Sequence, residues 1–155
     1  MKRTVFLAGV CAFFCCIYLA SCNKYEDGPA FSLLSAEKRL YGTYTLDKYT
    51  INGVDSLQEM ANRWGTTFTF WHNKDTYHDV IEINGPGISN PCRSTYTLVD
   101  KNRSFRVIGG AGILTADIEL RIEDIDFELL RLKNNDIHFR TNFNEKEYYF
   151  EISSQ

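Results

Sequence analysis

Residues 127–153, "FELLRLKNNDIHFRTNFNEKEYYFEIS", read as three short runs, Phe127–Lys133, Ile137–Phe143 and Glu147–Ser153. Lys133-Asn134-Asn135-Asp136 and Asn144-Glu145-Lys146 separate them. Both breaks are rich in residues whose short polar side chains stabilise tight turns. Connections this short cannot carry the crossover that parallel pairing needs, so the runs form an antiparallel meander.

The same grammar extends backwards. Thr43 to Ile51 is closed by Asn52-Gly53, and Thr66–His72 meets Tyr77–Asn84 through Asn73-Lys74-Asp75-Thr76. With that four-residue loop His78 is expected opposite Trp71, and His72 opposite Tyr77. Gly85-Pro86-Gly87 breaks the chain, after which Ser94–Val99 and Ser104–Ile108 flank Asp100-Lys101-Asn102-Arg103. "DIELRIED", from Asp117, alternates Ile118, Leu120 and Ile122 inward with Asp117, Glu119, Arg121 and Glu123 outward. The phase then reverses at Asp124, because Ile125, Phe127 and Leu129 take the opposite parity, as at a bulge or strand break. The sum is eight or nine antiparallel strands with almost no helix. An all-β, up-and-down barrel is predicted, since closure removes the exposed edges of so wide a sheet.

One short helix is expected between the first two strands. Ser56-Leu57-Gln58-Glu59 has capping-box spacing, and Leu57, Met60, Ala61 and Trp64 share one face. Gly65 stops it. Such a helix is either a plug that buries leftover apolar surface or a lid over a cavity. Ser35-Ala36-Glu37-Lys38-Arg39 suggests a further capped turn leading into the first strand.

The chain opens with Met1-Lys2-Arg3 and an uncharged apolar run from Val5 to Ala20. A membrane-spanning helix needs roughly 20 residues, so the run reads as the core of a secretory signal. Leu19-Ala20-Ser21-Cys22 resembles the lipobox of bacterial lipoproteins. The resemblance implies cleavage before Cys22, a diacylated Cys22 thiol and an acylated new amino group. Multiple chains anchor stably, at roughly 0.8 kcal/mol per buried CH₂. The expected partner is therefore a membrane, held through lipid and not spanned. Cys11, Cys15 and Cys16 leave with the leader, so Cys92 is alone in the folded part and has no intrachain partner. A lone thiol in an oxidising compartment is expected to be buried or neutral.

The organisation expected is a signal over 1–21, a lipidated Cys22 with its tether over 22–39, and a barrel over 40–155. No Asp follows Cys22, whereas Lys24 precedes Glu26-Asp27. Outer-membrane anchoring follows, at the periplasmic face or the cell surface. Of 17 basic and 20 acidic residues the leader takes only Lys2 and Arg3, leaving fifteen against twenty. That acidic balance argues against nucleic acid, which calls for a clustered basic surface.

The lipobox, the tether "KYEDGPAFSLLS", "RLYGTYTL" and the closing "EYYFEI" together resemble the lipocalin-like lipoproteins of Gram-negative envelopes. The resemblance implies an eight-stranded barrel able to enclose a small apolar or amphipathic ligand. Lipocalins open their first strand with Gly-x-Trp; here Gly42-Thr43-Tyr44 stands in that place, with Tyr as the aromatic plug.

Enzyme chemistry finds little footing. His72, His78 and His138 lack companions at ligand spacing, and no metal or cofactor is expected. Asp117, Glu119, Glu123, Asp124, Asp126 and Glu128 read as a wet outer face, not as a glycosidase pair in a dry cleft. Gly109-Gly110-Ala111-Gly112 lacks the following Lys-Ser/Thr of a phosphate loop and reads as a strand connection. Two readings of function remain. In one, a small apolar ligand sits among Tyr44, Leu46, Phe68, Phe70, Tyr148 and Phe150, beneath Leu57, Met60 and Trp64. In the other, those side chains fill the barrel, and the protein serves an uptake or assembly complex through its outer surface.

Overall fold

Asn52-Gly53 takes positive φ at both positions, 51° and 78°, as a tight two-residue hairpin requires. It turns β1 (Gly42–Ile51) back into the two-residue β2 (Val54–Asp55). A computed structural model describes residues 34–85, 91–108 and 124–154. Seven further strands follow: β3 (Thr67–Asn73), β4 (His78–Asn84), β5 (Cys92–Val99), β6 (Ser104–Ile108), β7 (Ile125–Lys133), β8 (Asp136–Phe143) and β9 (Lys146–Ser153). From β3 onward each strand pairs antiparallel with the next in the chain. β1 completes the ring by pairing with β3 through Gly42–Thr45 and with β9 through Thr45–Ile51. The switch of partner coincides with an irregularity between Leu46 and Lys48, a local bend that lets one strand close the barrel.

This is the up-and-down barrel expected, with eight long strands and the short β2 as a ninth. β6 pairs directly with β7, Ser104 opposite Glu128 and Val107 opposite Ile125, so eight strands suffice for closure. The alternating run over 117–123, the glycine cluster 109–112, the leader and Cys22 lie outside the described residues. The parity read for Ile125, Phe127 and Leu129 holds: all three are buried, whereas Asp126 and Glu128 between them are exposed.

The β3–β4 register differs from the expected one. Asn73 pairs with His78, His72 with Asp79 and Trp71 with Val80. The loop is residues 74–77, because Asn73 Oδ1 accepts from the backbone N–H groups of Asp75 and Thr76 at 2.9 and 3.3 Å. Asn73 thus ends the strand and caps the turn, and Tyr77 takes the left-handed conformation (φ 57°).

Two helices flank β1. The first, α1 (Ala36–Leu40), is capped as expected, with Ser35 Oγ accepting from Lys38 N. It buries Ala36, Arg39 and Leu40, so the core already begins inside the expected tether. Arg39 donates from its guanidinium to the Leu132 carbonyl at 2.9 Å, and Tyr44 donates its hydroxyl to the Arg39 carbonyl at 3.0 Å. The Tyr44 ring folds back over Gly42, where a Cβ would lie 3.3 Å from it. Gly-x-Tyr therefore stops this end of the barrel. The second helix, α2 (Leu57–Arg63), lies beyond the other end of β1.

Candidate functional site

The barrel mouth at α2 is where a ligand-binding barrel would open. The expected capping box is not formed. Asp55 Oδ1 accepts from Leu57 N at 3.0 Å, while Ser56 donates its hydroxyl to the Val54 carbonyl. Asp55 has the shorter reach to the free amides of the first turn, and Ser56 is left to tie down β2. The predicted face is right: Met60 is fully buried, and Leu57 and Trp64 pack half-buried on the core. Gly65 ends the helix at φ 92°.

Below the helix the interior is occupied by side chains. Tyr44, Leu46, Phe68, Phe70, Tyr148 and Phe150, the residues predicted to point inward, are each no more than 3% exposed. They meet Phe105, Phe127 and Phe139 in one ring network. Phe139 stacks on Phe150 at 4.7 Å between centroids and meets Phe105 edge-on at 5.3 Å. Phe105 stacks on Phe127 at 5.0 Å, and Phe68 reaches both Phe139 and Phe150 at 6.3 Å. These are ordinary contact distances for aromatic pairs, each favourable by about 0.5–1.5 kcal/mol beyond simple burial. Tyr96 Oη in the core and Trp64 Nε1 at the mouth are buried without a hydrogen-bond partner among the described residues.

No family model matches this chain, and no curated protein does.

The remaining polar candidates disperse around the wall. His72 Nδ1 contacts Asp79 Oδ1 at 2.9 Å, and Asp79 also accepts from the Tyr41 hydroxyl. His138 lies 2.8 Å from Asp136, on a different hairpin. Among the described residues no three His, Cys, Asp or Glu side chains converge. Cys92 is partly buried against the core, which pushes its thiol pKa up. Of the acidic run, Asp126 takes a two-pronged contact from Arg106 at 2.6 and 2.9 Å, which holds its carboxyl below the usual carboxylate range. Glu128 pairs with Arg140 at 2.8 Å. A general acid needs a raised carboxyl in a dry cleft, so Asp126 has the opposite character.

The outer wall holds a feature that single-strand alternation does not show. Phe70 and Ile81 face inward, so Trp71 and Val80 face outward. Register places Trp71 opposite Val80, Val80 opposite Thr95, and Thr95 opposite Ile108. One row thus crosses β3, β4, β5 and β6. It lines a concave cavity of about 410 Å³, with Asn73, Thr76 and His78 at its hairpin side and Arg93 at the other. Val80 is only 8% exposed although it points away from the core, whereas Ile108 is 42% exposed. The Arg93 guanidinium lies 5.9 Å from the Trp71 ring centroid and forms an ion pair with Glu82. Alternation with Phe68 and Phe70 along β3 places Trp71 outward near a turn; its neighbours follow from pairing across four strands.

Proposed function

We propose that the chain is a lipid-anchored envelope protein whose barrel is a filled scaffold. It works through its outer surface as an accessory of an uptake or assembly complex. The ring network carries this reading. An apolar guest would have to part Phe139 from Phe150 and Phe105 from Phe127, opening space that eight strands scarcely provide. Met60, fully buried, makes α2 a plug. The anchor reading rests on Leu19-Ala20-Ser21-Cys22, with the acyl groups on Cys22 and the outer membrane as the destination. Kinship with lipocalin-like lipoproteins is supported by the barrel architecture and by Gly42-Thr43-Tyr44 at its stopped end.

Two measurements test these claims. Cys22→Ala should abolish palmitate incorporation and leave an unprocessed precursor; labelled lipid on the variant would overturn the anchor. Titration with fatty acids should leave Trp64 fluorescence unchanged, because the plug has nothing beneath it to respond. A saturable Trp64 response would favour the alternative, a small apolar ligand held among Tyr44, Phe68, Phe70, Tyr148 and Phe150.

A further inference from the structure

We infer that the outer-wall cavity centred on Trp71 binds a neutral saccharide, with a sugar ring lying on the indole. This deepens the reading that the barrel works through its outside.

The lining chemistry selects the ligand. Trp71 supplies a flat apolar face, extended by Val80 and, across Thr95, by Ile108, which matches the C–H face of a pyranose ring and not an ion. Around the strip stand uncharged hydrogen-bonding groups. The Thr76 and Thr95 hydroxyls and the His78 imidazole have no side-chain hydrogen bond within the described residues. Asn73 spends its carbonyl oxygen on the turn, which leaves its amide donors for a ligand. An apolar floor rimmed by a few convergent polar groups is the usual composition of a small-molecule site.

Charge rules out the obvious competitors. Among the described residues Arg93 is the one permanently charged side chain in the lining, and it forms an ion pair with Glu82 beside it. No excess positive field remains to hold a phosphate or carboxylate. A peptide adding as a strand would need unpaired backbone at the cavity floor, but Val80 there pairs with Trp71 on one side and with Thr95 on the other. What fits is a ligand that is uncharged, rich in hydroxyls and flat on one face.

The hairpin tip adds reach. Tyr77, between Thr76 and His78, is 82% exposed and held at φ 57°, a conformation costly for a bulky residue. The turn therefore projects an aromatic ring into solvent beside the cavity. A second sugar unit of an oligosaccharide would extend towards it.

The test uses the full mature chain and ¹⁵N-labelled indole resonances, titrated with maltose, cellobiose and N,N′-diacetylchitobiose at millimolar concentrations. At least one of the three should shift the Trp71 indole signal saturably and leave Trp64 unmoved. Sorbitol, a polyol without a ring, should leave both unmoved. Trp71→Ala should weaken binding at least about tenfold, Thr95→Val by a few-fold, and Trp71→Phe less than Trp71→Ala. If Trp71→Ala fails to fold, Trp71→Phe and Thr95→Val decide the matter. No Trp71 shift with any of the three disaccharides would overturn the inference, as would an equal shift with sorbitol or binding unaffected by these variants. The parent reading fails separately: a fatty-acid response at Trp64 overturns the filled barrel and leaves the Trp71 result standing.

Discussion

Gly65→Ala is the substitution that best exposes how the plug is joined to the wall. Gly65 sits at φ 92°, where an L-residue costs about 1–2 kcal/mol from the backbone alone. A Cβ there would also lie 2.2 Å from the Asn84 carbonyl oxygen and 2.5 Å from Gly85 N. Ordinary contact begins near 3.4 Å, so more than an ångström must be opened between two backbones. That cannot happen without parting Thr67 from Asn84, the pair that starts the β3–β4 ladder. Losing that end pair adds about 1–3 kcal/mol for half-buried backbone groups left unmade. The total comes to about 2–5 kcal/mol, a large share of the roughly 5–15 kcal/mol that a domain has. Gly53→Ala is the matched control: its φ is 78°, yet a Cβ there meets nothing within 4 Å, so only the backbone cost applies. Urea unfolding of both variants, compared at constant m, separates crowding from strain. If Gly65→Ala costs no more than Gly53→Ala, the close approach is absent and the plug is not locked to β4.

Tyr96→Phe should be neutral or stabilising by up to about 1 kcal/mol, because its hydroxyl is buried without a partner; a clear loss in urea unfolding would reveal a partner. Burial pushes the Tyr44 pKa up to about 12 from 10.0. The unfolded chain therefore loses this proton first, so Tyr44's contribution is complete below pH 10 and falls as pH rises towards 12. Tyr44→Phe should flatten that part of the stability–pH curve, and an unchanged slope would refute the assignment.

Most of the barrel was legible because its strands carry a two-residue period, broken only locally, as between Leu46 and Lys48 and between Leu129 and Arg131. Among the described residues every side chain predicted to face inward is buried, and Asn52-Gly53 and Gly65 do what their backbone freedom suggests. Failures fall where two residue types compete for one task. Asp55 outbids Ser56 for the first amide of α2, and Asn73 leaves the loop to end β3, shifting the register by the residues it no longer supplies. Neither contest is decided by composition, since Asn, Asp and Ser are all good caps and turn formers. The Trp71 row was less visible still. Alternation along β3 says which way Trp71 points, but Val80, Thr95 and Ile108 become its neighbours only through three successive registers.

The same packing that makes the fold readable moves the search for function outward. A barrel that kept its interior for a guest would need small residues or polar groups facing a void. Here the inward positions carry rings in contact: Phe68 against Phe139 and Phe150, Phe70 against Tyr96 and Phe105. Both ends are stopped, one by Tyr44 and α1, the other by Met60 and α2. The outer face is otherwise tied up in cross-strand ion pairs such as Arg106–Asp126 and Arg140–Glu128, which are exposed and each contribute little. Against that background Trp71 stands out as a large apolar side chain set outward among hydrogen-bonding groups that the fold leaves unengaged. Its contacts with Val80 and the Arg93 guanidinium hold the ring in place on the wall, which makes the Trp71 wall, and not the mouth, the surface where binding should be sought first.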